Sequence, residues 1–402
     1  MVIIGAGQGG LQAAESLRSA KYDGDILLLG DEAHAPYNRP PLSKAFLLGE
    51  MTQDQLTIRQ PAVFEKKRIE LKTGMRVEAI DPKAQSLVCQ KGDVIEYEKL
   101  IIATGSRARI PPIPNAHAEG VHCIRTLDDT LTIADEMDSV ENLVVIGGGF
   151  IGLEMAAVAR KLGKNVTVVE FADRLMARVV SPAVSAYYKS LHEKKGCIIR
   201  LNAAAEKILL DQGKLSGVLL NSGEELKSDM VVLGVGVLPN EELAKTAGLE
   251  CDSGIIINNK GQTSDPNIYA IGDCTAQVTA DGSLRRLESV QNAVEMAKAA
   301  ANDIMGFDKP FTAAPWFWSD QYDVKLQMVG LSQGFDEMVL RGDLESGSFS
   351  YFYFSSGKLI AIDSFNQSAD HMAGRKLLSS DNNLASQQAG DLDFNLRDAV
   401  LN

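Results

Sequence analysis

Two stretches of this chain carry glycines at the spacing with which a backbone can grip a pyrophosphate. Val2-Ile3-Ile4-Gly5-Ala6-Gly7-Gln8-Gly9-Gly10 opens the sequence, and Val144-Val145-Ile146-Gly147-Gly148-Gly149-Phe150-Ile151-Gly152 repeats the pattern. Gly5, Gly7 and Gly10 fit G-x-G-x-x-G, as do Gly147, Gly149 and Gly152. The first glycine of such a loop permits a tight turn, the second lets the backbone approach phosphate, and the third lets the helix pack on the sheet. The helix that follows offers free N–H groups and the positive end of its dipole to an anion. Each copy is also followed by a strand that ends near a carboxylate. Asp31 and Glu32 come after the first, and Glu170 stands 23 positions after Gly147 in the second. A carboxylate there can accept hydrogen bonds from a ribose diol. Two such sites imply two dinucleotides in one chain, and two dinucleotides side by side imply electrons passing between them.

These loops need strand–turn–helix units to position them. Residues 2–4, 9–20 and 25–29 read as strand, helix and strand, the start of a doubly wound sheet. Residues 100–105 (Leu-Ile-Ile-Ala-Thr-Gly) form an apolar strand entering a glycine turn, and Pro111, Pro112 and Pro114 then mark a crossover between domains. A second unit runs to the apolar strand 231–238. After it the pattern returns to the first domain, with residues 268–273 (Ile-Tyr-Ala-Ile-Gly-Asp) placing Asp273 at a strand end and residues 290–303 forming an Ala-rich helix. The predicted organisation is α/β. A dinucleotide-binding domain from residues 1–114 and 243–320 is interrupted by a second one at 115–242 and followed by an α+β domain at 321–402. In that last part residues 349–354 and 359–362, joined by 355–358, predict a hairpin. The stretch after about residue 380 reads as polar and mobile.

Length and composition fit this picture. At about 150 residues per domain, 402 residues suggest two or three domains. A net charge of −13 argues against a general nucleic-acid binder. No run approaches the roughly 18–20 apolar residues of a membrane span. Met1 leads straight into the first strand, so no signal peptide is expected, and the three residues before the glycine turn predict that a few further residues precede Met1. The five cysteines are scattered, odd in number and form no C-x-x-C. They read as reduced structural thiols of a cytoplasmic protein with no metal site.

Four strings are more specific than the glycines: Arg39-Pro40-Pro41-Leu42-Ser43-Lys44, Ala103-Thr104-Gly105, Thr263-Ser264-Asp265-Pro266 with Gly272-Asp273, and Pro315-Trp316-Phe317-Trp318-Ser319-Asp320-Gln321. In this order they resemble the FAD-dependent pyridine nucleotide oxidoreductases, and among these the oxygenase-coupled ferredoxin reductases of the putidaredoxin reductase and rubredoxin reductase type. The likeness covers nearly the whole chain. It implies a glutathione-reductase-like fold: two doubly wound Rossmann-like domains plus a C-terminal α+β domain. Disulfide reductases of the superfamily carry C-x-x-x-x-C near the flavin and a C-terminal histidine–glutamate pair. No cysteine lies near Lys44, and His371 lacks that signature, so electrons are expected to leave the flavin directly.

The resemblance also implies roles. FAD would lie on Gly5, Gly7, Gly9 and Gly10, with Asp31 on the adenosine ribose and Asp273 on the ribityl chain. Arg39, Lys44, Val77, Ala103, Thr104, Gly105, Arg125, Gly272, Val290 and Trp318 complete its surroundings. NADH would lie on Gly147, Gly149, Ile151 and Gly152, with Glu170 on the ribose and Gly236 and Glu288 on the nicotinamide side. Lys44, Glu154 and Trp318 are the expected catalytic residues. Competing readings stand beside several of these. Trp318 and Trp316 could be ordinary core aromatics, Glu154 could simply favour a helix dipole, and Arg174 and Arg178 are either solvated charges or binders of a 2′-phosphate.

The implied activity is an NADH-dependent ferredoxin reductase: hydride from NADH to FAD, then single electrons to a [2Fe–2S] ferredoxin that supplies a monooxygenase or dioxygenase. A monomer or weak dimer is expected. The alternatives are an NADH oxidase, which usually has a redox cysteine by the flavin, and a binding flavoprotein like apoptosis-inducing factor, which expects basic surface and long insertions. Ferredoxins are typically acidic, so docking needs a local basic patch, with Arg285, Arg286, Arg341, Arg375 and Lys376 as candidates.

Overall fold

The apolar strand Val2–Ile4 is completely enclosed, flanked on one side by Ile26–Leu29 and on the other by Leu100–Ile102, both parallel to it. Ile69–Lys72 and Ile268–Ala270 extend the sheet to five strands in the order Ile268–Ala270, Leu100–Ile102, Val2–Ile4, Ile26–Leu29, Ile69–Lys72. Such a sheet, covered on both faces, reads as uninterrupted Ile, Leu and Val rather than alternation. The second fingerprint builds a sheet of the same kind. Asn142–Ile146 lies between Asn165–Val169 and Met230–Leu233, and Ile198–Arg200 and Val121–His122 form the edges, all parallel. These features were observed in a computed structural model that describes residues 1–90, 92–279, 281–380 and 382–400.

The chain resolves into two compact units. The first comprises Met1–Asn38, Gln53–Arg107 and Leu238–Pro315, and the second Arg39–Thr52, Ala108–Val237 and Trp316–Asn402. The second unit thus holds the second parallel sheet, the proline-rich segment from Arg39, and the whole C-terminal region. That region is a five-stranded antiparallel sheet in the order Trp316–Gln321, Val324–Gly330, Lys358–Phe365, Ser348–Ser355, Glu337–Asp343. Phe349, Phe352, Tyr353, Phe354 and Phe365 are fully buried in it, and the rings of Phe349 and Phe365 stack at 4.4 Å.

The predicted hairpin forms with a tighter turn than expected. Ser355 pairs with Lys358, leaving Ser356 and Gly357 as the loop, both in the left-handed region (φ 51° and 73°). Two consecutive positive φ values twist the connection the way paired strands twist. The predicted helix 290–303 is Val290–Ile304, started by the Ser289 hydroxyl accepting from the Asn292 N–H.

Two expectations fail together at the C-terminal end. Residues 382–400 are folded rather than a loose tail, with a short helix at Ser386–Gly390 and a 3-10 turn at Leu396–Ala399. Arg341, expected on a surface patch, is buried beneath them at 9% exposure. Its guanidinium donates to the carbonyls of Ala389, Asp391, Leu392 and Phe394 and lies 3.6 Å from the Asp370 carboxylate. Five fixed donors suit a row of chain carbonyls better than a lysine would. Arg341→Met therefore strands buried acceptors and is expected to cost about 1–3 kcal/mol. Urea denaturation should read that loss, and limited proteolysis should cut faster within residues 385–396.

Candidate functional site

In the first unit the glycine loop closes on backbone. Gly5 has φ 106°, and a Cβ there would overlap the Ala103 carbonyl; a Cβ at Gly10 would overlap the Gly5 carbonyl. Gly7 faces open space, with no atom within 4 Å of its would-be Cβ. Gly7 is also the N-cap of the helix Gln8–Ser19 and supplies no side-chain cap. Ala103-Thr104-Gly105 sits opposite and is clamped by Asn240, which donates to the Thr104 carbonyl at 2.9 Å while its own carbonyl accepts from the Thr104 hydroxyl at 2.8 Å. Asp31 is exposed at the strand end, whereas its neighbour Glu32 accepts from the Tyr37 hydroxyl at 2.5 Å. Gly272 has φ 76° and Asp273 accepts from the Ser106 hydroxyl at 3.1 Å. Gly9 packs near Ala293 and Ile271, Val77 is buried in its strand, and Val290 opens its helix. Glu288, expected on the nicotinamide side, lies in this unit and is paired with Arg286 at 2.6 Å.

The second unit repeats the cradle. Gly147 has φ 110°, its Cβ would overlap the Gly234 carbonyl, and a Cβ at Gly152 would overlap the Gly147 carbonyl. Gly149 caps the helix Phe150–Lys161 without a side-chain bond, and its Cβ position has only the Gly234 oxygen near, at 3.9 Å. By contrast, the helices Leu127–Met137, Pro182–Lys194 and Val290–Ile304 are capped by Thr126, Ser181 and Ser289. The two fingerprint helices therefore keep their terminal N–H groups unclaimed by side chains, which is the geometry an anion fills.

Glu170 is fixed by the glycine loop and by its own turn: its carboxylate accepts from the N–H of Gly148 at 2.6 Å and of Ala172 at 2.7 Å. Arg174 donates to the carbonyls of Val180 and Ala177 and to the Ser185 hydroxyl. It is engaged in holding its loop, so of the two arginines only Arg178 is exposed, its guanidinium lying over Gly236 (φ 100°). Ile151, at 41% exposure, is open at the cradle mouth.

The same unit holds a buried ion pair. Lys44 Nζ lies 2.7 Å from Glu154 Oε2, with Glu154 only 1% exposed. The 3-10 turn Pro40–Ser43, started by Pro40 and Pro41, delivers Ser43, whose hydroxyl donates to the same oxygen at 2.5 Å. Ser319, on the strand Trp316–Gln321, donates to Glu154 Oε1 at 2.6 Å. A charge this buried persists because it is paired and multiply hydrogen-bonded. Sequence reasoning alone gives Ser43 and Ser319 no role. Their one visible signal was adjacency: Ser43 precedes Lys44 and Ser319 follows Trp318. Trp318 packs against Trp316 with centroids 5.5 Å apart and the rings tilted by 32°, and Arg375 lies 4.9 Å over the Trp316 ring. Arg39 donates to the Arg125 carbonyl at 2.7 Å, tying the proline segment to the start of the helix Leu127–Met137.

The five cysteines are free thiols, and burial pushes each one's pKa up, Cys123 and Cys251 to about 11. A thiol so placed is a poor nucleophile at neutral pH.

The pyridine nucleotide-disulphide oxidoreductase profile matches residues 1–297, and the reductase C-terminal profile matches residues 316–400. The chain belongs to the pyridine nucleotide-disulphide oxidoreductase family. Within that family it is 46% identical to rhodocoxin reductase of Rhodococcus erythropolis, over 100% of this chain and 94% of the relative. It is 38% identical to putidaredoxin reductase of Pseudomonas putida, over 100% and 96%. Among solved structures it is similar to the ferredoxin reductase for the CYP199A2 system from Rhodopseudomonas palustris, with TM-score 0.97, 46% identity and coverage of 100% and 99%. It is likewise similar to the reductase in the covalent putidaredoxin reductase–putidaredoxin complex, with TM-score 0.95, 38% identity and coverage of 99% and 97%.

Proposed function

We propose that this protein is an NADH-dependent ferredoxin reductase, passing electrons from NADH through FAD to a [2Fe–2S] ferredoxin that supplies an oxygenase. The observation that carries the reading is the pair of glycine cradles at helix ends without side-chain caps, each on its own parallel sheet, together with relatives named as rhodocoxin, putidaredoxin and ferredoxin reductases. The residues present fit FAD in the first unit: Gly5 and Gly10 close the loop tightly on backbone, Gly7 leaves open space for a pyrophosphate with Gly9 beside it, and Asp31 and Asp273 offer carboxylates for hydroxyl groups. In the second unit Gly147, Gly149, Ile151 and Gly152 would receive NADH. The resemblance assigns Lys44, Arg39, Arg125 and Trp318 to the flavin, and Val77, Val290, Glu288 and Gly236 to the remaining cofactor contacts. Residues 1–114 with 243–320 would then be the FAD domain, 115–242 the NAD domain and 321–402 the C-terminal domain, in a cytoplasmic monomer or weak dimer.

Bound flavin would supply the change from a two-electron to a one-electron donor. The chain supplies position and charge. The uncapped helix ends would neutralise pyrophosphate, and Lys44 donates to both Glu154 Oε2 and the Pro40 carbonyl, 3.1 Å away. NADH-driven cytochrome c reduction with and without added [2Fe–2S] ferredoxin tests the reading. Strong dependence on ferredoxin is expected, and equal rates without it would remove it.

Glu170 favours NADH over NADPH, because a fixed carboxylate repels a 2′-phosphate and Arg174 is engaged elsewhere. Glu170→Ala should weaken NADH binding by about 1.5–3 kcal/mol, roughly 10- to 150-fold. A wild-type preference for NADPH in steady-state kinetics would contradict the assignment.

Ferredoxin docking is expected on exposed cations. Arg285, Arg375 and Lys376 remain candidates; Arg286 is tied to Glu288 and Arg341 is buried. Charges of this kind act over about 8–10 Å at 0.10–0.15 M salt and mainly raise association rates. Stopped-flow traces should therefore show ferredoxin reduction slowing as salt rises while flavin reduction by NADH changes little; equal sensitivity of both steps would count against electrostatic docking.

A further inference from the structure

Behind Glu154 runs a buried row of hydrogen bonds whose direction is forced from one end. Glu154 Oε1 can only accept, so the Ser319 hydroxyl, 2.6 Å away, must donate to it. That uses the single O–H of Ser319, whose oxygen then accepts from Gln321 Nε2 at 3.2 Å. With the amide so oriented, Gln321 Oε1 faces His192 Nε2 at 2.8 Å, and this nitrogen must carry the proton. His192 Nδ1 is left as an acceptor, and the Tyr322 hydroxyl lies 3.2 Å from it. Ser319, Gln321 and His192 are each 0% exposed. The strand Trp316–Gln321 sets Ser319 and Gln321 on one face because side chains alternate, and the helix Pro182–Lys194 brings His192 to its end. Burial pushes the His192 imidazole below its usual range, which keeps it neutral.

The geometry points to Gln321 and His192 as positioning residues for the reaction, acting through Ser319 to hold the Glu154 carboxylate in register with Lys44. The inference rests on the reading that this pair faces the reacting rings. Four neutral groups aligned in one sense polarise one another and stabilise the carboxylate without placing a second buried charge beside it. The row is not a proton conduit, because the amide of Gln321 cannot pass a proton along as a hydroxyl or imidazole does. Neither residue touches Lys44 directly; each acts by fixing the donor of its neighbour.

Three variants of the FAD-loaded protein test this. Gln321→Glu is isosteric but replaces the donor by a second carboxylate competing for the Ser319 hydroxyl. His192→Phe removes the Nε2 donor, and His192→Gln restores a donor at similar reach. In stopped-flow reduction by NADH, the limiting rate is expected to fall about tenfold in Gln321→Glu and His192→Phe, near the upper end of what one neutral hydrogen bond carries. The NADH dissociation constant should stay within about twofold, and His192→Gln should recover the rate to within about threefold. If His192→Phe does not fold, Gln321→Glu carries the rate measurement. Independently of turnover, 15N NMR of histidine-labelled wild type, with and without FAD, should show His192 as the Nε2–H tautomer. Normal limiting rates in both disrupting variants, or an Nδ1–H tautomer, would overturn the proposal. A wild type that NADH does not reduce would instead remove the functional reading, and the tautomer would still decide the direction of the row.

Discussion

Lys44→Ala is expected to destabilise the protein by about 3–5 kcal/mol, because it strands the buried charge of Glu154. The lysine is the carboxylate's only charged partner within ion-pair distance among the described residues, and Glu154 has 1% of its surface exposed. Ser43 and Ser319 still donate, which favours the lower end of that range. Glu154→Gln in the same background removes the stranded charge, so the double variant should be more stable than Lys44→Ala alone. Urea denaturation at a fixed FAD concentration supplies the cycle. Additive effects would mean that the pair is not coupled. The same Lys44→Ala protein should show slower flavin reduction in stopped flow even where its folded fraction is complete.

Gly5→Ala should lose FAD and much of its stability, whereas Gly7→Ala should lose FAD alone. At Gly5 a methyl group overlaps the Ala103 carbonyl, and φ is 106°. Adding about 1–3 kcal/mol for overpacking and about 1–3 for the strained backbone gives about 2–6 kcal/mol. At Gly7 φ is −83° and no protein atom lies within 4 Å, so the apoprotein should change by no more than about 0.5 kcal/mol. A methyl there would intrude only on a bound pyrophosphate. The flavin-to-protein absorbance ratio after incubation with excess FAD, set beside the denaturation midpoint of the apoprotein, separates the two cases. Full flavin content in Gly7→Ala would show that the pyrophosphate lies elsewhere.

What could be read from sequence was whatever local geometry demands. Both glycine loops, the Ala-rich helix over 290–303 and the hairpin joined by residues 355–358 each follow from neighbouring residues alone. The parallel sheets followed because apolar runs and crossover lengths leave few topologies. What could not be read depends on distant pairing. Ser43 and Ser319 meet Glu154 across 111 and 165 positions, and His192 meets Gln321 across 129. Arg341 was misread because a charged residue in a β-rich tail is ordinarily a surface residue. The return of the chain over residues 389–394, together with Asp370, gives its donors somewhere to go. Arg174 was ambiguous for the same reason: its acceptors are carbonyls, which no side-chain pattern reveals.

The missing side-chain caps on the helices Gln8–Ser19 and Phe150–Lys161 bear on how much of this protein a cell can keep. Serine or aspartate at a helix start is a permanent fixture, whereas a nucleotide in that role comes and goes with its supply. A ligand held a hundredfold above its dissociation constant adds about 2.7 kcal/mol, and one that is scarce adds almost nothing. Newly made chains would therefore survive proteolysis in proportion to the flavin available, which ties the abundance of the reductase to the vitamin from which its cofactor is made.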